Sequence, residues 1–194
     1  CSIFPKIGLE NSIPVTSVRL SELDPDSYTI IGLGRVFNTK YSPDNRTLAV
    51  ATSTGILLYD TTNYALLKHF SDSFVDNLKW SPDGSKLAYS SSYEIKLLDL
   101  QSEKIIPLEK QELWLIGEEV SWSPDGKLLA SIDSTDDNGA VYVWNTASGK
   151  LIQRITYPEK RVLGRYISSE GVAWSPDGIY LAVAYTFINI SAPD

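Results

Sequence analysis

The chain contains no methionine, a single cysteine and a single histidine in 194 residues, and each shortage removes a class of chemistry. Cys1 has no partner for an intramolecular disulfide, so cysteine usage leaves the redox compartment open. A nucleophilic triad needs a base, usually histidine. His69 is the only one, and it sits in Leu66-Leu67-Lys68-His69-Phe70, which reads as an outer strand. One cysteine and one histidine cannot build a Cys/His metal cluster. There is no Gly-rich phosphate loop, and no apolar run approaches the roughly 18 residues of a membrane span. Basic runs are also missing: Lys plus Arg is 17 against 24 for Asp plus Glu, a net charge of -7. Such a balance gives no electrostatic reason to bind nucleic acid or an anionic membrane surface. The acidic stretch Asp133, Asp136, Asp137, Asn138, Gly139 suggests calcium only at first sight. Counted from Asp133, Thr135 falls at the third EF-hand position and Trp144 at the twelfth, and Asn138-Gly139 reads as a hairpin turn. No catalytic residue, cofactor or metal is expected within these residues.

What the chain has instead is a repeat. Val120-Ser121-Trp122-Ser123-Pro124-Asp125-Gly126 recurs as Tyr41-Ser42-Pro43-Asp44-Asn45, Trp80-Ser81-Pro82-Asp83-Gly84 and Trp174-Ser175-Pro176-Asp177-Gly178. The aromatic residues are spaced by 39, 42 and 52 positions. A period of roughly 40 to 45 with strand-like contents is the mark of a propeller blade. Around the first copy, strands are predicted at 36–41, 47–51, 56–59 and 65–70; around the second at 75–80, 86–89, 95–98 and 104–108. Around the third they are predicted at 120–122, 128–132, 141–144 and 151–155, all separated by turn residues. The repeated turn has its own physical logic. Proline presets φ at the first central position, Asp bonds the nearby backbone, and Gly, or Asn45 in the first copy, accepts positive φ. The motif is therefore read as core packing and turn formation, not as a ligand site.

These repeats resemble WD40 repeats over about residues 36–187. The third is closest, with VSWSPDGKLLASID, AVYVWN and TASGKLIQRI. The Trp-Asp ending of that family stands here as Tyr59-Asp60, Leu98-Asp99 and Trp144-Asn145, and the usual Gly-His pair is missing, so the family's Asp-His-Ser-Trp network cannot be carried over. The second repeat, WSPDGSKLAYSSSYEIKLLDL, also resembles those of TolB-type propellers and of propellers attached to serine peptidases. The expected fold is all-β, a β-propeller of four-stranded antiparallel blades with about three and a half blades present, near 36–70, 75–108, 118–156 and 170–194.

Residues 1–27 lack strand alternation and read as a leader or linker. Residues 28–33 form a short β-branched run that could close the ring of a larger propeller, in the way the resemblance implies. The fourth repeat ends without room for two more full strands. The expectation is a partial ring, with four-bladed closure as the alternative and self-association through exposed sheet faces as a consequence. With no methionine present, translation is expected to begin upstream of Cys1. Cys1 followed by Ser2 resembles the processed terminus of a bacterial lipoprotein, which implies lipidation of Cys1, the one expected route to a membrane, and an extracytoplasmic location. The alternative is a fragment boundary in a cytoplasmic protein.

The unequal intervals locate the candidate binding residues. Blade connections are lengthened at 109–119, which contains Trp114, and at 157–170, which contains Arg161, Arg165 and Tyr166. Insertions in repeat arrays map to loops on one face, and Trp, Tyr and Arg are the types enriched at binding hot spots. The leading functional expectation is a non-enzymatic scaffold that binds a protein or peptide. The alternative is the amino-terminal propeller of a larger enzyme such as a serine peptidase, with catalysis beyond residue 194.

Overall fold

The computed structural model describes residues 33–92, 94–109, 120–133, 140–156 and 165–189. Every regular element among them is a strand, and no helix is long and apolar enough to cross a membrane. The first sheet is β1 (Val36–Tyr41), β2 (Thr47–Thr52), β3 (Gly55–Asp60) and β4 (Leu66–Ser71), in that order and antiparallel throughout. The second repeats it with β5 (Val75–Trp80), β6 (Lys86–Ser91), β7 (Glu94–Asp99) and β8 (Lys104–Ile106). The third does so with β9 (Val120–Trp122), β10 (Leu128–Asp133), β11 (Ala140–Asn145) and β12 (Leu151–Thr156). The fourth holds β13 (Arg165–Trp174) and β14 (Leu181–Asn189), a two-stranded sheet among the described residues. Three four-stranded sheets and one two-stranded sheet agree with the all-β propeller expected from the repeats.

Several strands run one or two residues beyond the expectation, β6 to Ser91 among them, and two further boundaries differ for identifiable physical reasons. β8 stops at Ile106 instead of running to 108, because Pro107 has no N–H for the ladder. The second long connection does not extend to 170. β13 begins at Arg165, and its ladder to β14 shifts register between Ser169 and Gly171, a bulge that breaks the period-two signal. The predicted leader at 1–27 and all but residue 33 of the predicted strand at 28–33 lie outside the described residues.

Alternation along each strand sorts side chains between neighbouring sheets. Ala49, Ala51, Ile56 and Leu58 of the first sheet meet Val75, Leu78, Leu87, Tyr89 and Leu98 of the second. Ala88, Ile95 and Leu97, on the other face of the second sheet, meet Val120 and Leu129 of the third. Ala130, Ile132, Val141 and Val143 then meet Val172 of the fourth, with Trp174, Leu181 and Val183 packed alongside. Truncating a fully buried leucine such as Leu87 to alanine is expected to cost about 2–5 kcal/mol. The remaining face of the first sheet, with Leu48, Val50, Leu57 and Tyr59, is also buried, and Tyr64 packs against it.

Each Ser-Pro-Asp-Gly turn is closed by the same bonds. Ser123 Oγ donates to Asp125 Oδ1 at 2.7 Å and accepts from the Leu128 N–H at 2.9 Å, while Asp125 Oδ1 accepts from the Lys127 N–H at 3.1 Å. Gly126 sits at φ 70 and Asn45, its counterpart in the first copy, at φ 59, so both copies meet the positive-φ requirement. The serine bond is the main cause that holds the carboxyls of Asp83 and Asp125 down from 3.8 to about 2, and it lowers Asp44 and Asp177 in the same direction. The turns also stack: a Cβ on Gly84, Gly126 or Gly178 would lie 3.5, 3.7 or 3.6 Å from the Cδ of Pro43, Pro82 or Pro124 in the sheet before. The preceding tryptophans stitch sheets together, Trp80 Nε1 donating to the Lys40 carbonyl at 3.0 Å and Trp122 Nε1 to the Lys79 carbonyl at 3.2 Å.

The residue standing at the Asp of the Trp-Asp ending has a defined task. Asp99 Oδ1 accepts from the Ser102 N–H at 2.7 Å, and Asn145 Oδ1 accepts from the Ala147 and Ser148 N–H groups at 3.1 and 3.0 Å. Asp60 holds the Thr62 N–H at 2.7 Å in the same way. Either Asp or Asn can close this turn, so the degenerate ending leaves the blade intact.

Candidate functional site

The strand order gives the array two unlike ends. On one, the Ser-Pro-Asp-Gly turns and the Asp/Asn-closed turns return the chain within a sheet. On the other, the inner strands begin, the turns between second and third strands lie, and the sheet-to-sheet connections arrive. The turn end is saturated with its own hydrogen bonds, which leaves the connector end as the candidate recognition surface.

Of the residues proposed from sequence, Trp114, Arg161 and Cys1 lie outside the described residues. Arg165 and Tyr166 fall on β13, opposite Asn189 and Ile188 of β14. These two positions are therefore strand positions near the start of an inner strand, not part of a loop as their place in a long spacer suggested. His69 lies on β4, as the apolar run around it predicted, and its Nε2 is 3.0 Å from the Thr54 carbonyl. Among the described residues no three His, Cys, Asp or Glu side chains group closely enough to hold a metal ion.

The first two sheets bring together residues that sequence reasoning passed over. The short connection from β4 to β5 is Asp72-Ser73-Phe74. Asp72 turns back onto the second sheet, where Lys96 Nζ and Tyr89 O–H each donate to its Oδ2 at 3.0 Å and the Ser73 N–H donates to its Oδ1 at 2.7 Å. Ser91 Oγ lies 3.0 Å from Asp72 Oδ1 and 2.6 Å from the Ser73 carbonyl. Partial burial pushes the Asp72 carboxyl up, but the Lys96 ammonium and the other donors outweigh it and hold the group below its ordinary value. Burial, then the adjacent Asp72 charge, pushes the Tyr89 hydroxyl well above its usual value, so it remains a donor. The connection is thus fixed by a charged network at the place where a loop would otherwise be loose.

Fixing Asp72 places Phe74. Its φ is 47, a left-handed conformation uncommon for a bulky residue, and its side chain is 60% exposed. Phe37 on β1 lies beside it, ring centroids 6.2 Å apart and planes tilted by 42°, and the Arg35 guanidinium sits 5.2 Å from the Phe37 ring centroid. The segment carrying Arg35 is held to the turn between β2 and β3. Arg35 N–H donates to Ser53 Oγ at 3.0 Å, the Ser53 N–H to the Arg35 carbonyl at 2.9 Å, and Thr54 Oγ1 to the Leu33 carbonyl at 3.1 Å. Leu33 and Val36 flank the pair and are exposed. The sequence signal for this cluster was slight: Phe74 stands just before the strand predicted at 75–80, and nothing in the sequence marks its positive φ.

Sheets of this order, joined in sequence by a Trp-Ser-Pro-Asp-Gly repeat, define a β-propeller. Residues 119–145, the third repeat, match the WD40 family model described as "WD domain, G-beta repeat". The fold is similar to that of Kuenenia stuttgartiensis hydrazine synthase, with a TM-score of 0.59 and 19% identity over 84% of this chain and 48% of that one. It is also similar to the Cps50 (Swd1) β-propeller domain of Myceliophteria thermophila, with a TM-score of 0.63 and 13% identity over 84% of this chain and 60% of that one. The chain therefore spans 48% and 60% of the lengths of these two solved chains. No curated protein matches it.

Proposed function

We propose that the chain is a non-enzymatic scaffold of the WD40 propeller type that binds a protein or peptide on its connector face. The observation that carries this reading is Phe74, an exposed aromatic in a strained conformation on a connection pinned by Asp72, Lys96, Tyr89 and Ser91. Strain retained at a surface position, with a charged network spent on holding it, is the pattern expected of a recognition residue. Trp114, Arg161, Arg165 and Tyr166 are proposed to extend the same surface. A photo-crosslinking residue at Ser53 or Ser92, on the connector face, should give partner adducts, and one at Thr62 or Ser102, on the turn face, should not. Adducts from the turn face alone would place recognition at the opposite end.

A second reading is favoured by one solved chain of similar fold that is named as an enzyme, hydrazine synthase, of which the match covers 48%. On that reading the propeller is a part of a larger enzyme whose catalytic residues lie beyond residue 194. Sequence downstream distinguishes the two: further Trp-Ser-Pro-Asp-Gly copies support the scaffold, a G-x-S-x-G elbow followed by Asp and His supports a serine peptidase. Self-association is proposed through the fourth sheet, whose outward residues Ala173, Ala182 and Ala184 are exposed, with Ile179 and Tyr180 beside them.

A further inference from the structure

We infer that Arg35, Phe37 and Phe74 form a clamp for an apolar side chain followed by a carboxylate, so that the partner presents an apolar-acidic pair such as Phe-Asp in an extended segment. This rests on the reading of the connector face as the binding face and adds the chemistry of what binds there. Phe74 is the anchor surface. It gains little from burial in its own chain, and its left-handed φ is one that glycine would adopt without strain, yet the position carries an aromatic ring. Phe37 packs against it, ring centroids 6.2 Å apart at a 42° tilt, so the two rings form one continuous apolar surface on which an apolar or aromatic side chain can lie in edge-to-face contact.

The carboxylate preference comes from Arg35. Its guanidinium lies over the Phe37 ring, 5.2 Å from the centroid, a cation–π contact that leaves N–H donors available. Among the described residues no carboxylate lies within ion-pair distance of it. The carboxylate on the adjoining connection, Asp72, is already neutralised by Lys96 at 3.0 Å. A planar cation held by stacking and lacking an anion is the arrangement that recognises a carboxylate through paired N–H donors. The Asp72 network and the Ser53 and Thr54 bonds preset the whole cluster, so binding orders few groups.

The test uses three fluorescein-labelled Gly-Ser peptides carrying a central Phe-Asp, Phe-Lys or Ala-Asp pair, titrated against the full chain by fluorescence polarisation at low salt. The Phe-Asp peptide should bind at least about tenfold more tightly than either of the others. Phe74→Gly should abolish the preference for Phe over Ala without lowering the melting temperature by more than about 2 °C, because it removes strain as well as contact. Arg35→Gln should abolish the preference for Asp over Lys. Equal affinity for all three peptides, no binding of any, retention of the Phe preference in Phe74→Gly, or a larger fall in its melting temperature would each overturn the clamp. Should adducts form from Ser53 or Ser92 while the peptides fail to discriminate, the clamp is wrong and the face stands; adducts confined to Thr62 or Ser102 remove the face itself.

Discussion

Ala88 on β6 and Ala182 on β14 occupy the same place in the repeat, each following the first leucine of a second strand and facing away from the sheet before. Ala88, like Ala49 and Ala130, is 0% exposed, whereas Ala182 is exposed. The tryptophans, which face the sheet before, differ as well. Trp80 and Trp122 each find a carbonyl in the preceding sheet, while the Nε1 of Trp174 is buried without a partner among the described residues. Sequence decides which way a side chain points, because alternation and the turn fix the register. Whether that side chain ends in a core is decided by the next sheet.

Four experiments press on this difference. The largest effect is expected from charge at the alanine position. Ala88→Glu should cost about 4 kcal/mol or more by urea denaturation, since it buries an unpaired carboxylate, and Ala182→Glu should stay within about 0.5 kcal/mol. Equal losses at the two sites would mean that the fourth sheet's outward face is covered in solution. Next comes Asp72→Asn, which leaves Lys96 without its counter-charge between the first two sheets and should cost about 2–3 kcal/mol. Lys96→Met in that background should recover part of the loss, and an additive double variant would show that the pair is uncoupled.

Smaller still, Trp80→Phe and Trp122→Phe each remove one inter-sheet bond and should cost about 1 kcal/mol beyond their packing loss, whereas Trp174→Phe removes an orphaned donor and should be neutral or stabilising. A loss at Trp174 as large as at Trp80 would remove the distinction. The least effect is in the pH dependence. Asp83 and Asp125 have folded pKa values of about 2, below the ordinary 3.8, so their contribution is complete above that ordinary value and disappears as pH falls through about 2. The melting temperature should be flat above about pH 5 and fall below about pH 4. Ser81→Ala with Ser123→Ala, which removes the principal cause of both shifts, should flatten that fall.

The second and third strands of each full blade could be read from the sequence almost to the residue, because the turn chemistry brackets them on both sides. The Leu-Ala steps at Leu48, Leu87 and Leu129 supplied the alternation, and Asp60, Asp99 and Asn145 marked where each third strand ends. Arg165 to Glu170 escaped because the bulge near Ser169 masks the period and because its pairing partner, the end of β14, lies some distance along the chain. Phe74 escaped for a different reason. Nothing in Ser71-Asp72-Ser73-Phe74-Val75 announces a positive φ, and the bonds that hold the connection come from Ser53 and Thr54 on one side and from Tyr89, Ser91 and Lys96 on another hairpin. Spacer length drew attention to long connections, whereas a cluster with described geometry lies on a connection of three residues. Trp114 and Arg161 lie outside the described residues, so their role stays a proposal.

The covered face of the first sheet has a bearing on assembly. Contacts between successive sheets run in one direction, a proline offered forward and a glycine seated on it, so repeated between molecules they would make a head-to-tail polymer. Such growth requires a free first sheet to receive each newcomer, and Val50 and Leu57 on that face are 0% exposed. Should the fourth sheet associate as proposed, the buried first face points to a face-to-face pair of equivalent copies, which light scattering would report as a dimer.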